Sequence, residues 1–224
     1  MFSEVSTEST ARLLESKAVI EACASLNSNS QYHLESSILQ GTVYVLLYGA
    51  LEYTITHCSY TAITQINSKS HNLYDVQPSL WAMIFDSDCT RMESNGTNKK
   101  WEYRYQLFSK LTRNQAVSQI SNILFPSSNG NIKEQQIKRV WDTFGLKSPM
   151  FEQDHQEVRN YLINLAEGRM AVAHGREKAS ERGAMKSISE LNELYNAISR
   201  YCSYLINCFN IYIVNEDFLQ KVNP

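Results

Sequence analysis

Proline and glycine are scarce, with 4 Pro and 8 Gly in 224 residues, about 5% of the chain against an average of about 12%. Folds built from many tight turns, the β-sandwich and the β-barrel among them, are disfavoured, and long helices are favoured. Cysteine offers no framework either. Cys23, Cys58, Cys89, Cys202 and Cys208 are odd in number and include no C-x-x-C pair, which excludes a disulfide scaffold and a thiolate metal centre. They read as small apolar groups. His33, His57, His71 and His155 lie at no metal-ligand spacing and read as structural or surface residues, so no metal and no cofactor is expected. The longest apolar run, 43–47, is far short of the roughly 20 residues that cross a bilayer. The start, MFSEVSTEST, has neither the basic nor the apolar segment of a signal peptide. A reduced, cytoplasmic protein without a membrane role is expected, which makes the sequon Asn95-Gly-Thr97 a chance match. Excess positive charge is missing too, with 21 Lys+Arg against 23 Asp+Glu and a net charge of −2. That weighs against coating of duplex nucleic acid by bulk charge and leaves only a local basic patch.

Apolar residues make up 43% of the chain, and 13 Tyr, 8 Phe and 3 Trp supply a core and argue against disorder. The length suits one domain, with room for a large insertion. Four stretches carry helical periodicity. The first, over about 8–26, places Leu13, Leu14, Ile20 and Ala24 among polar residues. The second, over about 34–66, contains GTVYVLLYGALEYTITH and repeats Ile38, Val45, Tyr48, Ile55 and Ile63 at helical steps. Gly41 and Gly49 lie eight residues apart inside it, near one face, which predicts close packing against another helix. The third spans about 154–167 with Val158, Leu162 and Leu165 on one stripe. The fourth opens with the capping box Ser187-x-x-Glu190 and continues through Leu191, Leu194, Ile198, Tyr201, Leu205 and Phe209. Between the second and third, 67–150 holds Pro78, Pro126 and Pro149, the loop-like runs ESNGTNKK and PSSNGN, and shorter helical patterns at 79–85, 101–111, 115–125 and 132–144. The expected fold is an all-α, up-and-down helical bundle, one domain over 1–224 with 67–150 as a helical insertion.

One segment carries chemistry. EGRMAVAHGREK places Arg169 five residues before His174, which is followed by Gly175. Five residues on a regular helix are about 140° apart, so the two side chains share a face only where the helix is distorted or ends, and Gly168 and Gly175 flank the motif. His suits proton transfer near neutrality and Arg suits bidentate phosphate contact. Arg176, Lys178, Arg182 and Lys186 follow, opposed by Glu177 and Glu181, and make a small basic patch. Upstream, Glu52 sits within an apolar helix, where a buried carboxylate needs a partner. It reads equally as a group that orients Arg169 or His174 and as half of a structural ion pair.

With the helix YVLLYGALE before it, this segment resembles the HEPN superfamily, in particular its larger stand-alone prokaryotic members of MAE type. Their signature is an Arg, four to six residues, then a His, often as R-N-x-I-A-H-G. The matching residues here are Arg169, Ala173, His174 and Gly175, with Glu52 in the upstream helix. The resemblance spans about 8–66 and 154–213 and does not account for the insertion. It implies a metal-independent endoribonuclease on a homodimeric bundle, with Arg169 and His174 catalytic, RNA as substrate, and a role as a toxin or phage-defence effector beside an antitoxin or defence-system protein. Two motifs across a two-fold axis would supply the two imidazoles that acid-base cleavage at a 2′-hydroxyl uses. One departure stands out: Met170 occupies a position that is commonly polar in the family, which supports the alternative of a catalytically weak or inactive HEPN protein that binds RNA, a nucleotide or a partner protein. Arg176 stands where adenylylated family toxins carry a Tyr, which disfavours pairing with a nucleotidyltransferase antitoxin. Finally, Trp101-Glu-Tyr103-Arg104-Tyr105 with Lys99 and Lys100 reads either as helix core or as a surface on which bases stack.

Overall fold

Helix α1 (Ser3–Asn27) and helix α2 (His33–Asn67) form an antiparallel hairpin. Ser9 Oγ lies 2.7 Å from Thr54 Oγ1 at one end, and Ser36 Oγ donates to the Cys23 carbonyl at 3.2 Å near the other. In this computed structural model the described residues are 1–94, 99–113, 117, 119–121, 125, 132–146 and 156–220. Helix α9 (Ile188–Val214) lies along the hairpin, helix α7 (Gln156–Ala173) packs against α2 and α9, and the short helix α8 (Ala179–Ala184) crosses α2. The fold is an all-α bundle. Its α9 begins as the capping box dictates, with Glu190 N–H donating to Ser187 Oγ at 3.2 Å and Ser187 N–H to Glu190 Oε2 at 2.9 Å.

The buried arc of α2 comprises Val43, Leu47, Ala50, Leu51, Ile55, Cys58, Ala62 and Ile63. Tyr48, Ile55 and Ile63 are buried as the periodicity requires, whereas Ile38 and Val45 are 41% and 37% exposed. The same holds on α1, where Leu13 and Ile20 are buried and Leu14 and Ala24 are exposed. A 35-residue helix that is apolar around most of its circumference fits more than one stripe, and the neighbours decide which arc is covered. Gly41 meets α8: a Cβ there would come within 2.0 Å of the Ala179 carbonyl oxygen. Gly49, expected to pack as closely, has nothing within 4 Å of that point.

The 67–150 stretch contributes helices α3 (Trp81–Ile84), α4 (Asp86–Ser94), α5 (Lys100–Leu111) and α6 (Glu134–Phe144). Helix α4 has no buried residue and therefore no apolar stripe from which to read it. The helical pattern expected over 115–125 is absent at the residues described there, and its remainder, the sequon Asn95-Gly-Thr97, Pro126, Pro149, the start of the third stretch at Asp154 and His155 lie outside the described residues. Side chains from this stretch enter the same core as α9. Phe144 sits edge-on to Phe209 and Tyr212, with ring centroids 5.2 Å and 6.0 Å away. Leu73, Val76, Leu80, Ile137 and Val140 are buried with them. After α9 the chain turns back, and the Gln77 amide donates to the Phe218 carbonyl at 2.9 Å.

The five cysteines are free thiols, with Cys23, Cys58 and Cys202 buried, and burial pushes the Cys202 thiol up to about 11. Among the described residues no cluster of His, Cys, Asp and Glu could hold a metal, and no helix is long and apolar enough to cross a membrane.

Candidate functional site

Helix α7 is anchored by Leu162, Leu165 and Ala166 and runs on through Gly168, Arg169 and Met170 to Ala173, six residues beyond the end its apolar stripe suggests. Gly168 does not interrupt it. Its missing side chain lets the Tyr44 ring approach, because a Cβ there would lie 2.3 Å from Tyr44 Cδ1. The helix ends at Gly175, in the left-handed region with φ 67°. Gly175 N–H donates to the Val172 carbonyl at 3.2 Å and Arg176 N–H to the Ala171 carbonyl at 2.9 Å, the paired bonds of a Schellman cap. Ala-His-Gly is therefore a helix-ending signal as well as a candidate motif. His174 closes the last α-turn, its N–H donating to the Met170 carbonyl at 3.1 Å, and its imidazole is exposed.

Arg169 lies half-buried between α7 and α2. Its guanidinium stands over the Tyr48 ring, 4.8 Å from the centroid, a cation–π contact. Glu52 is one turn along α2 from Tyr48. Burial pushes the Glu52 carboxyl above its ordinary value, and the Arg169 charge pulls it partly back. Burial likewise raises the Tyr48 hydroxyl, which accepts a hydrogen bond from the Ile132 amide just before α6. The structure thus brings Tyr48, Glu52 and Arg169 into one seam. It does not bring Arg169 and His174 of the chain onto one face, because the helix is regular between them and about 140° separates them.

Met170 is turned toward the start of α6. With Leu162, Ile163, Ala166, Lys133 and Glu134 it lines a 260 Å³ depression between α6 and α7. The four cations beyond the motif divide into two pairs. Arg176 and Lys178 are exposed on the loop leaving His174, where Lys178 forms an exposed ion pair with Glu181 at 3.5 Å. Arg182, its side chain only 14% exposed, stands 4.9 Å over the Tyr44 ring and 3.7 Å from Glu177. Lys186 Nζ donates to Glu190 Oε1 at 2.7 Å, and this bond, with the Ser187 cap, holds the Glu190 carboxyl down at about 2. Arg182 and Lys186 are therefore built into the junction of α7, α8 and α9.

The sequence marks Tyr48 only as a periodic apolar position and Tyr44 not at all, yet each lies beneath an arginine of the motif region. The available signal was the spacing Tyr44, Tyr48, Glu52, three residues at steps of four that share one helix face.

A model of the MAE_28990-like HEPN family matches residues 1–218. The chain belongs to the HEPN superfamily. No curated protein and no solved structure shows significant similarity to it. The family match extends through 67–150, beyond the residues that carry the motifs.

Proposed function

We propose that this HEPN protein is a metal-independent endoribonuclease, acting in the cytoplasm as a toxin or phage-defence effector, with a composite site of Arg169 and His174 from two copies at a homodimer seam. The carrying observation is that a HEPN chain keeps R-x4-H on α7, with His174 open to solvent at the helix end and no side-chain partner among the described residues. Cleavage would proceed by attack of the 2′-hydroxyl on the adjacent phosphate. One His174 accepts the proton, its mate protonates the leaving 5′-oxygen, and Arg169 neutralises the phosphorane. One copy offers solvent a single such imidazole, so the reaction calls for two. Leu34, Ile38 and Val45 form an exposed strip of α2 in line with the half-buried Glu52, and a second copy laid on it would abut the Arg169 seam. Arg176 and Lys178 would meet the RNA backbone first, with Arg182 and Lys186 holding the junction behind them. Gly175 fixes the end of α7 and so the place of His174. A cognate antitoxin or defence-system protein would restrain the activity.

The test compares wild type with His174→Ala on RNA in the presence of EDTA, following 2′,3′-cyclic phosphate ends. Loss of a general base is expected to slow cleavage by about 10²–10⁴, and equal rates would remove His174 from the mechanism. A second reading has support of its own. Arg169 turned onto Tyr48 beside Glu52 also suits a structural pair, and with Met170 after it the chain would be a non-catalytic HEPN protein that binds RNA, a nucleotide or a partner. Met170→Asn should raise cleavage if the motif is merely weakened. Absence of cleavage by wild type and Met170→Asn alike favours the second reading.

A further inference from the structure

Helix α5 has two unlike faces. On one, Leu107 and Leu111 pack against the core, Lys110 Nζ is bound to Asp88 of α4 at 2.7 Å, and the Tyr74 hydroxyl donates to the Leu111 carbonyl at 2.6 Å. On the other, Trp101, Tyr105 and Phe108 follow at i, i+4 and i+7, and are 75%, 74% and 62% exposed. This overturns the reading of the stripe as helix core. Isolated exposed apolar residues are ordinary, but three aligned rings on an anchored helix form a patch of the kind that marks a binding surface. The patch is also charged. Arg104 stands over the Trp101 ring at 4.9 Å, and with Lys110 paired to Asp88, Lys99, Lys100, Arg104 and Arg113 stand against Glu102 within 99–113, a local +3 on a chain of net −2. Flat exposed rings in a positive field fit a polyanion that carries flat faces of its own.

We propose that α5 is a docking platform for single-stranded RNA, with Trp101, Tyr105 and Phe108 stacking on bases and Lys99, Lys100 and Arg104 holding phosphates. The rings rise about 6 Å and about 10.5 Å along the helix axis from Trp101, which spreads them over the length of a short run of nucleotides. A duplex hides its base faces, so only an unpaired strand can use them. A lipid surface fits less well, because an interfacial helix presents a broad apolar face and the leucines of α5 point into the protein. The platform is independent of whether Arg169 and His174 cleave.

The full chain is titrated into a fluorescein-labelled 2′-O-methyl oligouridine, which lacks the attacking hydroxyl, and followed by anisotropy. Quenching of tryptophan fluorescence reports in parallel on Trp101, the most exposed of the three, since Trp81 is half-buried and Trp141 is 5% exposed. Trp101→Ala/Tyr105→Ala should weaken binding at least about tenfold through lost base stacking, without altering the circular dichroism. Trp101→Phe should retain most of it. Lys99→Gln/Lys100→Gln should reduce the slope of log K against log salt by about 0.7 per phosphate contact. Unchanged affinity in the double alanine variant, equal affinity for a duplex, or binding to phosphatidylserine vesicles with none to the oligonucleotide would each overturn the proposal. RNA cleavage by wild type with no effect of the ring substitutions on binding sinks the platform alone. Ring-dependent binding without cleavage sinks only the nuclease reading.

Discussion

Replacing Gly41 and Gly49 separately by Ala should move stability in opposite directions. Both glycines lie inside α2, where Ala is intrinsically better by about 0.8–1.0 kcal/mol. At Gly49 the new methyl meets nothing within 4 Å, so the gain should appear almost whole. A stabilisation near 1 kcal/mol raises Tm by about 2–4 °C for a chain of this size. At Gly41 the methyl would lie 2.0 Å from the Ala179 carbonyl oxygen and 2.6 Å from its carbon, where ordinary contact begins near 3.4 Å. The obstacle is backbone and cannot rotate away, so α8 must retreat by about 1.4 Å. Gly183, one turn further along α8, is pressed onto α2 as closely, its own Cβ position lying 1.9 Å from the Ser37 carbonyl oxygen, so the retreat loses close packing over the whole of α8. Overpacking of this kind costs about 1–3 kcal/mol or more, which outweighs the propensity gain. Gly41→Ala should lose about 1–2 kcal/mol and about 2–8 °C in Tm. The displaced helix carries Arg182 off the Tyr44 ring and disturbs the loop that follows His174. Thermal and urea unfolding monitored by circular dichroism measure both variants. Stabilisation by both, or destabilisation by both, would refute the claim that α8 packs on Gly41 and leaves Gly49 open.

Two further outcomes concern charge. Burial raises the Glu52 carboxyl by more than Arg169 lowers it, so the fold prefers the protonated form. That contribution is full below the ordinary carboxylate range and is lost as pH rises through the raised value. Glu52→Gln should therefore gain stability relative to wild type as pH rises above the ordinary carboxylate range in urea titrations. A Gln variant that is less stable at pH 7 would show that the Arg169 pair outweighs the cost of burial. Glu190 behaves oppositely. Lys186 and the Ser187 cap hold it at about 2, so its contribution is present above the ordinary value of 4.5 and is lost as pH falls toward 2. The gap in Tm between wild type and Glu190→Gln should close across that window, and a gap that persists at pH 2 would count against the cap.

The helices themselves were legible because period-3.6 apolar spacing and the Ser187 capping box act locally, within a few turns of chain. Gly175 was legible only as one of two candidate breaks, beside Gly168, since a residue that accepts positive φ closes such a cap. The extent of α7 was not. Gly168 looks like a breaker in isolation, and its tolerance depends on the Tyr44 ring that fills the space beside it. The basic patch was only half legible. Arg176 and Lys178 are open to solvent, but Arg182 and Lys186 are engaged with Tyr44, Glu177 and Glu190, partners that the fold brings to them.

What the sequence determined alone is an all-helical HEPN chain with R-x4-H near a helix end, because residue type and spacing along one helix set both. What the tertiary structure decided is direction. Packing turned Arg169 inward to Tyr48 and Glu52 and left His174 outside, covered one arc of α2 rather than another, and laid α5 down on its leucines with its rings outward. Periodicity defines a helix face up to rotation about its own axis. Only neighbouring elements, by filling one side, fix which residues meet water.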